Sequence, residues 1–243
     1  MQKQADAMVA QINAKIRDEV DADFKQMIRE KEAVRDAVSG NMYNTTTQAI
    51  VGVAMLEVTF DRQGRATKCE IIPPDQRLLD MVPFKTPHSD PQQFTEYLKQ
   101  QCLDTIFPAF PEEQYSAEGL LTKSVPVAAD FNAEKSREML SNNAQSEFFR
   151  KQLLRGEKFD SVGVVQASYR ANAQGKLTAC GINLVPLPSR RNDFVLDPAL
   201  QERLMNRCKT INVRQMPGFS ANNAQSQTQE AFMKYTPWNA VKE

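Results

Sequence analysis

Apolar side chains recur at four-residue spacing from Met8 through Ile12, Ile16, Val20, Phe24 and Ile28, and again at Val34 and Val38. Residues 3–38 hold no Gly or Pro and are dense in Ala, Glu, Lys, Gln and Asp. That pattern predicts a long amphipathic helix with a narrow apolar stripe, closed by Ser39-Gly40-Asn41. So narrow a stripe docks on a domain or pairs with another helix. A strict spacing of four drifts around an α-helix, so the pattern is not that of a coiled coil.

After the helix the period changes to two. Gly52, Ala54, Leu56, Val58 and Phe60 alternate with other residues and define the buried face of a strand. Asp61–Gly64 (DRQG) reads as a hairpin turn, with Gly64 free to take positive φ. A second strand follows to Ile72, with Thr67, Cys69 and Ile71 on one face, and Pro73-Pro74 stop it because proline cannot donate to a ladder. Beyond a long loop a helix starts at Asp90-Pro91 and carries Phe94, Leu98 and Cys102 on one face. The run FPAFP ends it, and residues 120–131 (LLTKSVPVAADF) read as a third strand.

The same phrase is then written again. Gly163, Gly175 and Cys180 stand 111 positions after Gly52, Gly64 and Cys69 (163 − 52, 175 − 64, 180 − 69). The second inner face is Gly163, Val165, Ala167, Tyr169 and Ala171, with its turn at Asn172–Gly175. A helix opening at LDPAL repeats the spacing with Leu200, Leu204 and Cys208, QMPGF (Gln215–Phe219) answers FPAF (Phe107–Phe110), and EAFMKYTPW is the matching third strand. Between the copies lies a polar stretch with apolar pairs Met139-Leu140, Phe148-Phe149 and Leu153-Leu154, read as a helical connector packed against the second copy. The expectation is an α+β chain of two tandem modules, each a three-stranded antiparallel sheet packed by a helix. The divisions are 1–40 for the long helix, 41–132 for the first module, 133–159 for the connector and 160–243 for the second module.

Composition narrows the function classes. At 243 residues, 41% apolar and 25% charged, the chain is that of a globular protein. Thirty basic residues cancel thirty acidic ones, so charge gives no reason to expect nucleic acid or a membrane surface as partner, and the Arg190-Arg191 pair reads as solvated surface. No run of about 18 apolar residues exists to span a bilayer. The N-terminus lacks the apolar core of a secretory signal, so either the protein is cytosolic or an export segment has been removed.

The order strand, Gly turn, strand, helix, proline-aromatic exit, strand resembles the C-terminal domain of TonB and TolA proteins. The residues carrying it are the hairpins at Asp61–Gly64 and Asn172–Gly175, the helices ending near Cys102 and Cys208, and the exits at Pro108 and Pro217. The resemblance covers about residues 52–131 and 160–237. It implies a periplasmic, non-catalytic domain that binds partner proteins by lending a sheet edge to an extended peptide. Carried onto this chain, the edge strands are about Lys123–Phe131 and Ala231–Pro237, with Val125, Val127, Phe131, Phe232 and Tyr235 as partner-binding positions. The chain departs from an energy-transducing TonB in showing neither a transmembrane anchor nor a long proline-rich spacer, and in having two modules. A domain of a larger envelope complex fits those departures.

Cys69 and Cys180 lie on second strands, and Cys102 and Cys208 on the core-facing side of the following helices. A helix laid on a short sheet brings such positions together, so the expected disulfides are Cys69–Cys102 and Cys180–Cys208, the one pairing that repeats with the duplication. Each would contribute about 3–4 kcal/mol by chain entropy and would indicate an oxidising compartment. The competing reading is four buried thiols acting as small hydrophobes in a cytoplasmic protein. No CxxC or neighbouring histidine completes a metal site.

Catalytic chemistry finds little footing. The single histidine, His88, sits in the loop KTPHSD without a Ser elbow or a phosphate loop around it. DRQG lacks the further acidic positions of a calcium loop, Glu70, Asp75 and Asp80 do not have the spacing of a carboxylate pair across a cleft, and Asn44 matches a glycosylation sequon by chance. Met55, Met81, Met205, Met216 and Met233 read as packing residues, and Trp238 as an anchor for the tail or an interface aromatic. The expectation is a cofactor-free protein-binding scaffold whose partner is an envelope protein or extended peptide, with self-association through the N-terminal helix as a further possibility. The alternative is a small-molecule carrier or enzyme with its site between the modules.

Overall fold

The structure, a computed structural model, describes residues 2–81, 87–220 and 228–238, and the side chains within them from Asp21 onward except that of Met81. The stripe positions Met8, Ile12, Ile16 and Val20 and the packing role of Met81 lie outside the described side chains. Helix α1 (Gln2–Thr45) does not stop at Ser39-Gly40 but continues for another turn. Glycine inside a helix costs about 1 kcal/mol against alanine. Here Val34, Val38 and Met42, each fully buried, and the hydrogen bond from Asn41 Nδ2 to Gln101 Oε1 at 2.9 Å outweigh that cost.

Strands β1 (Ile50–Asp61) and β2 (Ala66–Ile72) form the first hairpin. Helix α2 (Gln76–Met81) lies in what the sequence presents as loop. Its start is set by Asp75, whose carboxylate accepts from the Leu78 N–H at 2.8 Å, and it is held by burial of Leu78. Helix α3 (Pro91–Asp104) begins where expected, with Asp90 accepting from the N–H groups of Gln92 and Gln93. Strand β3 (Leu120–Phe131) completes a fully antiparallel sheet of order β2-β1-β3.

The second unit has α4 (Arg137–Leu153), β4 (Gly163–Ala171), β5 (Leu177–Val185), α5 (Pro198–Cys208) and β6 (Gln229–Tyr235), again as an antiparallel sheet of order β5-β4-β6. The two hairpins repeat atom for atom. Asp61 Oδ1 accepts from the N–H groups of Gln63 and Arg65, Asn172 Oδ1 from those of Gln174 and Lys176, and Gly64 and Gly175 both sit at φ +79°. Such a side-chain-closed turn explains DRQG fully.

Each unit therefore reads α-β-β-α-β. Val34, Val38 and Met42 of α1 share the first core with Leu56, Val58 and Phe60 of β1, Phe94, Leu98 and Cys102 of α3, and Val125 and Val127 of β3. Phe149 and Leu153 of α4 occupy the corresponding place in the second core, with Val165, Ala167, Tyr169, Leu200, Leu204, Cys208 and Met233. The end of α1 thus packs in the first core, and α4, the expected helical connector, packs against the second module. Gly52, the third residue of β1, and Gly163, the first of β4, each lie under an aromatic ring: a Cβ on Gly52 would stand 2.6 Å from the Phe94 ring, and one on Gly163 would strike Tyr235. The helix exits differ from the sequence alignment. Phe107 N–H bonds to the Gly64 carbonyl and Val213 N–H to the Gly175 carbonyl, so Val213, which precedes the QMPGF stretch set against FPAF, is the counterpart of Phe107.

Candidate partner-binding surfaces

β1 and β4 are central, so the outer strands are β3 and β6 on one side and β2 and β5 on the other. Which backbone groups face outward follows from the register. Val51 exchanges both of its backbone bonds with Ser89, on the side away from β3. Groups on a strand alternate in direction, and Val51, Val53, Met55, Glu57 and Thr59 stand opposite Asp130, Ala128, Pro126, Ser124 and Thr122. The outward groups of β3 are therefore those of these even-numbered residues, and Pro126, which has no N–H, interrupts the row. Edge prolines blunt pairing with other chains.

On β6 the outward groups belong to Glu230, Phe232 and Lys234, because the Phe232 N–H donates to Ser146 Oγ of α4 at 3.4 Å. Helix α1 lies against β3 and α4 against β6, so both edges have a helix beside them. On the far side, Gln201 Nε2 of α5 donates to the outward carbonyl of Ile182 in β5 at 2.9 Å. Of the five expected contact residues, Val125, Val127 and Tyr235 are core side chains, Phe131 is half-buried, and Phe232 is 53% exposed on the open face of its sheet. Burial also raises the pKa of the Tyr235 hydroxyl.

The cysteines pair as expected: Cys69 with Cys102 and Cys180 with Cys208, each pair with Cα atoms 6.3 Å apart. Both bonds tie an outer strand, β2 or β5, to the helix above it.

α1 runs past the module at Glu30. Burial pushes the Glu30 carboxyl pKa up, but hydrogen bonds from Lys123, Gln26 and Gln114 outweigh it and leave the group below the usual carboxylate range. Its contact with Lys123 Nζ, at 2.7 Å, ties the helix to β3. Residues 21–29 are exposed, and Phe24, Met27 and Ile28 present 57%, 41% and 39% of their surface to solvent at helix-face spacing.

The junction between the modules is polar and internally satisfied. Arg190, in the turn after β5, is 4% exposed rather than solvated. Its Nε donates to the Phe107 carbonyl at 2.8 Å, Nη1 and Nη2 donate to the Arg62 carbonyl at 3.1 and 3.0 Å, and Asp193 stands 3.1 Å from Nη1. Asn143 of α4, also buried, donates to the carbonyls of Tyr43 and Thr46 at 2.8 and 2.9 Å. Lys234 reaches Asn41 Oδ1 at 3.2 Å, and desolvation lowers its pKa to about 8. No signal in the sequence marks Arg190 and Asn143 as buried or Lys234 as half-buried, since SRRND, a mid-helix Asn and a strand Lys all read as surface.

Each of these side chains is hydrogen-bonded across the junction, Arg190 and Asn143 to backbone carbonyls and Lys234 to Asn41. A small cavity lies at the end of the second core beside Gln145, Tyr169, Met216 and Phe219. Its Tyr169 hydroxyl donates to Met216 Sδ at 3.6 Å, and burial lifts its pKa to about 12. His88, Glu70, Asp75 and Asp80 are exposed and separate in role: Glu70 pairs with Lys68, Asp75 caps α2, and Asp80 accepts from Gln76. Among the described residues no cluster of three or more His, Cys, Asp or Glu side chains is arranged to hold a metal ion, and no helix is long and apolar enough to cross a membrane. Met216 and Met233 are core residues, Met55 and Met205 half-buried, and Trp238 half-buried with its indole N–H shielded from water. Comparison with protein-family models, with curated proteins and with solved structures finds no match to this chain.

Proposed function

We propose that this chain is a non-catalytic protein-binding scaffold of the bacterial cell envelope, working in the periplasm as part of a larger complex. The observation that carries the reading is the duplicated build. The same α-β-β-α-β unit occurs twice, and each outer strand β2 or β5 is tied to its helix by a cysteine pair at disulfide distance. Two such staples suit an oxidising compartment. Three-stranded sheets with outward-facing edges suit an extended peptide as partner. This is also what the resemblance to TonB and TolA C-terminal domains implies.

Of the two edges to which the resemblance points, β6 is the better platform. Pro126 interrupts β3, whereas on β6, where Ser146 of α4 already takes the Phe232 N–H, the outward groups of Glu230 and Lys234 flank the exposed Phe232 ring. The projecting part of α1 is the second contact surface, for another helix of the complex or of a second copy. A small-molecule site between the modules has less support, because the polar side chains Arg190, Asn143 and Lys234 there are already hydrogen-bonded to protein groups across the junction.

The test has two readouts. Non-reduced, alkylated protein from its native compartment is mapped by mass spectrometry; four free thiols would overturn the periplasmic assignment. Partners captured from envelope extracts are then compared for the native chain and Phe232→Asp. Loss of a specific partner from the variant supports the β6 edge, and identical capture by both removes it.

A further inference from the structure

The two hairpins are alike, yet the space beside their glycines is filled in different ways. A Cβ on Gly175 would stand 2.6 Å from Arg214 N and Asn212 Oδ1, atoms of its own module's turn at Val213–Gln215. A Cβ on Gly64 would instead strike the Arg190 guanidinium, which belongs to the other module, and the Phe107 carbonyl. The first module leaves the carbonyls of Arg62 and Phe107 pointing into that space, and Arg190 fills it with three donor atoms. A planar guanidinium bonding to carbonyls from two segments holds both position and angle, which a flexible ammonium cannot do.

We infer that Arg190 is the key that fixes the two modules in one orientation, so that a partner meets them as a single rigid body rather than as two linked beads. Asn143 is a second, independent tie at the α4–α1 contact, where its amide bonds the carbonyls of Tyr43 and Thr46. Inter-domain contacts within a chain are ordinarily small and permit relative motion. What sets this one apart is that each tie is a buried side chain making several bonds of fixed geometry to backbone carbonyls, so that a change of angle between the packed modules breaks them while the groups remain buried. Arg190 is a positioning residue and touches no ligand. The inference concerns the geometry of the pair and stands whether or not the envelope reading holds.

The test is backbone NMR on the full chain, comparing amides of β1–β3 with those of β4–β6. Native protein should show one rotational correlation time for both sheets, and one alignment tensor should fit the residual dipolar couplings of both. Arg190→Ala should split the correlation times and require two tensors, while couplings within each module stay as they were. Arg190→Lys, which keeps the charge but loses the fork, should fall between, and it provides the reading if the alanine variant does not fold. A purely stabilising role would lower the unfolding midpoint without moving the relative alignment. Two independent tensors in the native chain, or one shared tensor retained in a folded Arg190 variant, would overturn the inference.

Discussion

Gly64 sits at φ +79° with the Arg190 guanidinium and the Phe107 carbonyl where a side chain would go, whereas Gly40 lies inside α1 with nothing within 4 Å of an added Cβ. Gly64→Ala is expected to lower stability by about 1–3 kcal/mol through strain and collision. Gly40→Ala is expected to raise it by about 0.5–1 kcal/mol, since only helix propensity changes. Denaturant midpoints of the two variants check both signs. Lys234 gives a pH-dependent case. Desolvation puts its folded pKa near 8, below the unfolded value of about 10.4. The cost of the buried charge is fully present below pH 8, and native stability should rise with pH between about 8 and 10.4, where the unfolded chain holds the extra proton. Lys234→Met should therefore stabilise by about 1–2 kcal/mol at pH 7, discounted because part of the side chain meets solvent. The gain should vanish by pH 10.5; a gain independent of pH would mean that packing, not charge, sets it. Neither the half-burial of Lys234 nor the full burial of Arg190 was legible, because burial of a polar side chain depends on which surfaces the modules bring together.

At the scale of elements the sequence was far more informative. The change of apolar period from four to two, the Asp-capped turns and the proline-led helix starts placed every strand and the helices α3 and α5, because each is set by local chemistry. The end of α1 was misplaced because tertiary burial of Met42 overrides the local stop at Gly40. Helix α2 was missed because a six-residue helix has almost no periodicity to display. The cysteine pairing was legible because duplication left one symmetric choice. Replacing Cys69 and Cys102 together by alanine should lower stability by about 3–4 kcal/mol, the loss expected for freeing a closed loop with a sequence separation of 33. Cys180 and Cys208, with a separation of 28, should give nearly the same loss. Thermal unfolding with and without reductant would show it, since reductant should have no further effect once both pairs are removed. An unchanged midpoint for the first pair would mean that the packed helix, not the bond, holds β2 in place.

For the whole molecule the open matter is α1, which serves two ends. From Glu30 onward it is a piece of the first core, and before that it carries exposed Phe24, Met27 and Ile28 away from the module. An isolated helix gains little stability in water without a surface to pack on, so whether the projecting part pairs with a second copy is a question for experiment. Removing residues 1–28 should leave the unfolding midpoint almost unchanged, because Val34, Val38 and Met42 remain. Removing residues 1–44 takes those three buried side chains away and should cost several kcal/mol, at about 1.5–3 kcal/mol each. Light scattering on the native chain and the shorter deletion separates the roles. If α1 pairs with a second copy, the full chain has twice the mass expected for a monomer and the deletion of 1–28 returns it to one. If both are monomeric at high concentration, self-association through α1 is ruled out.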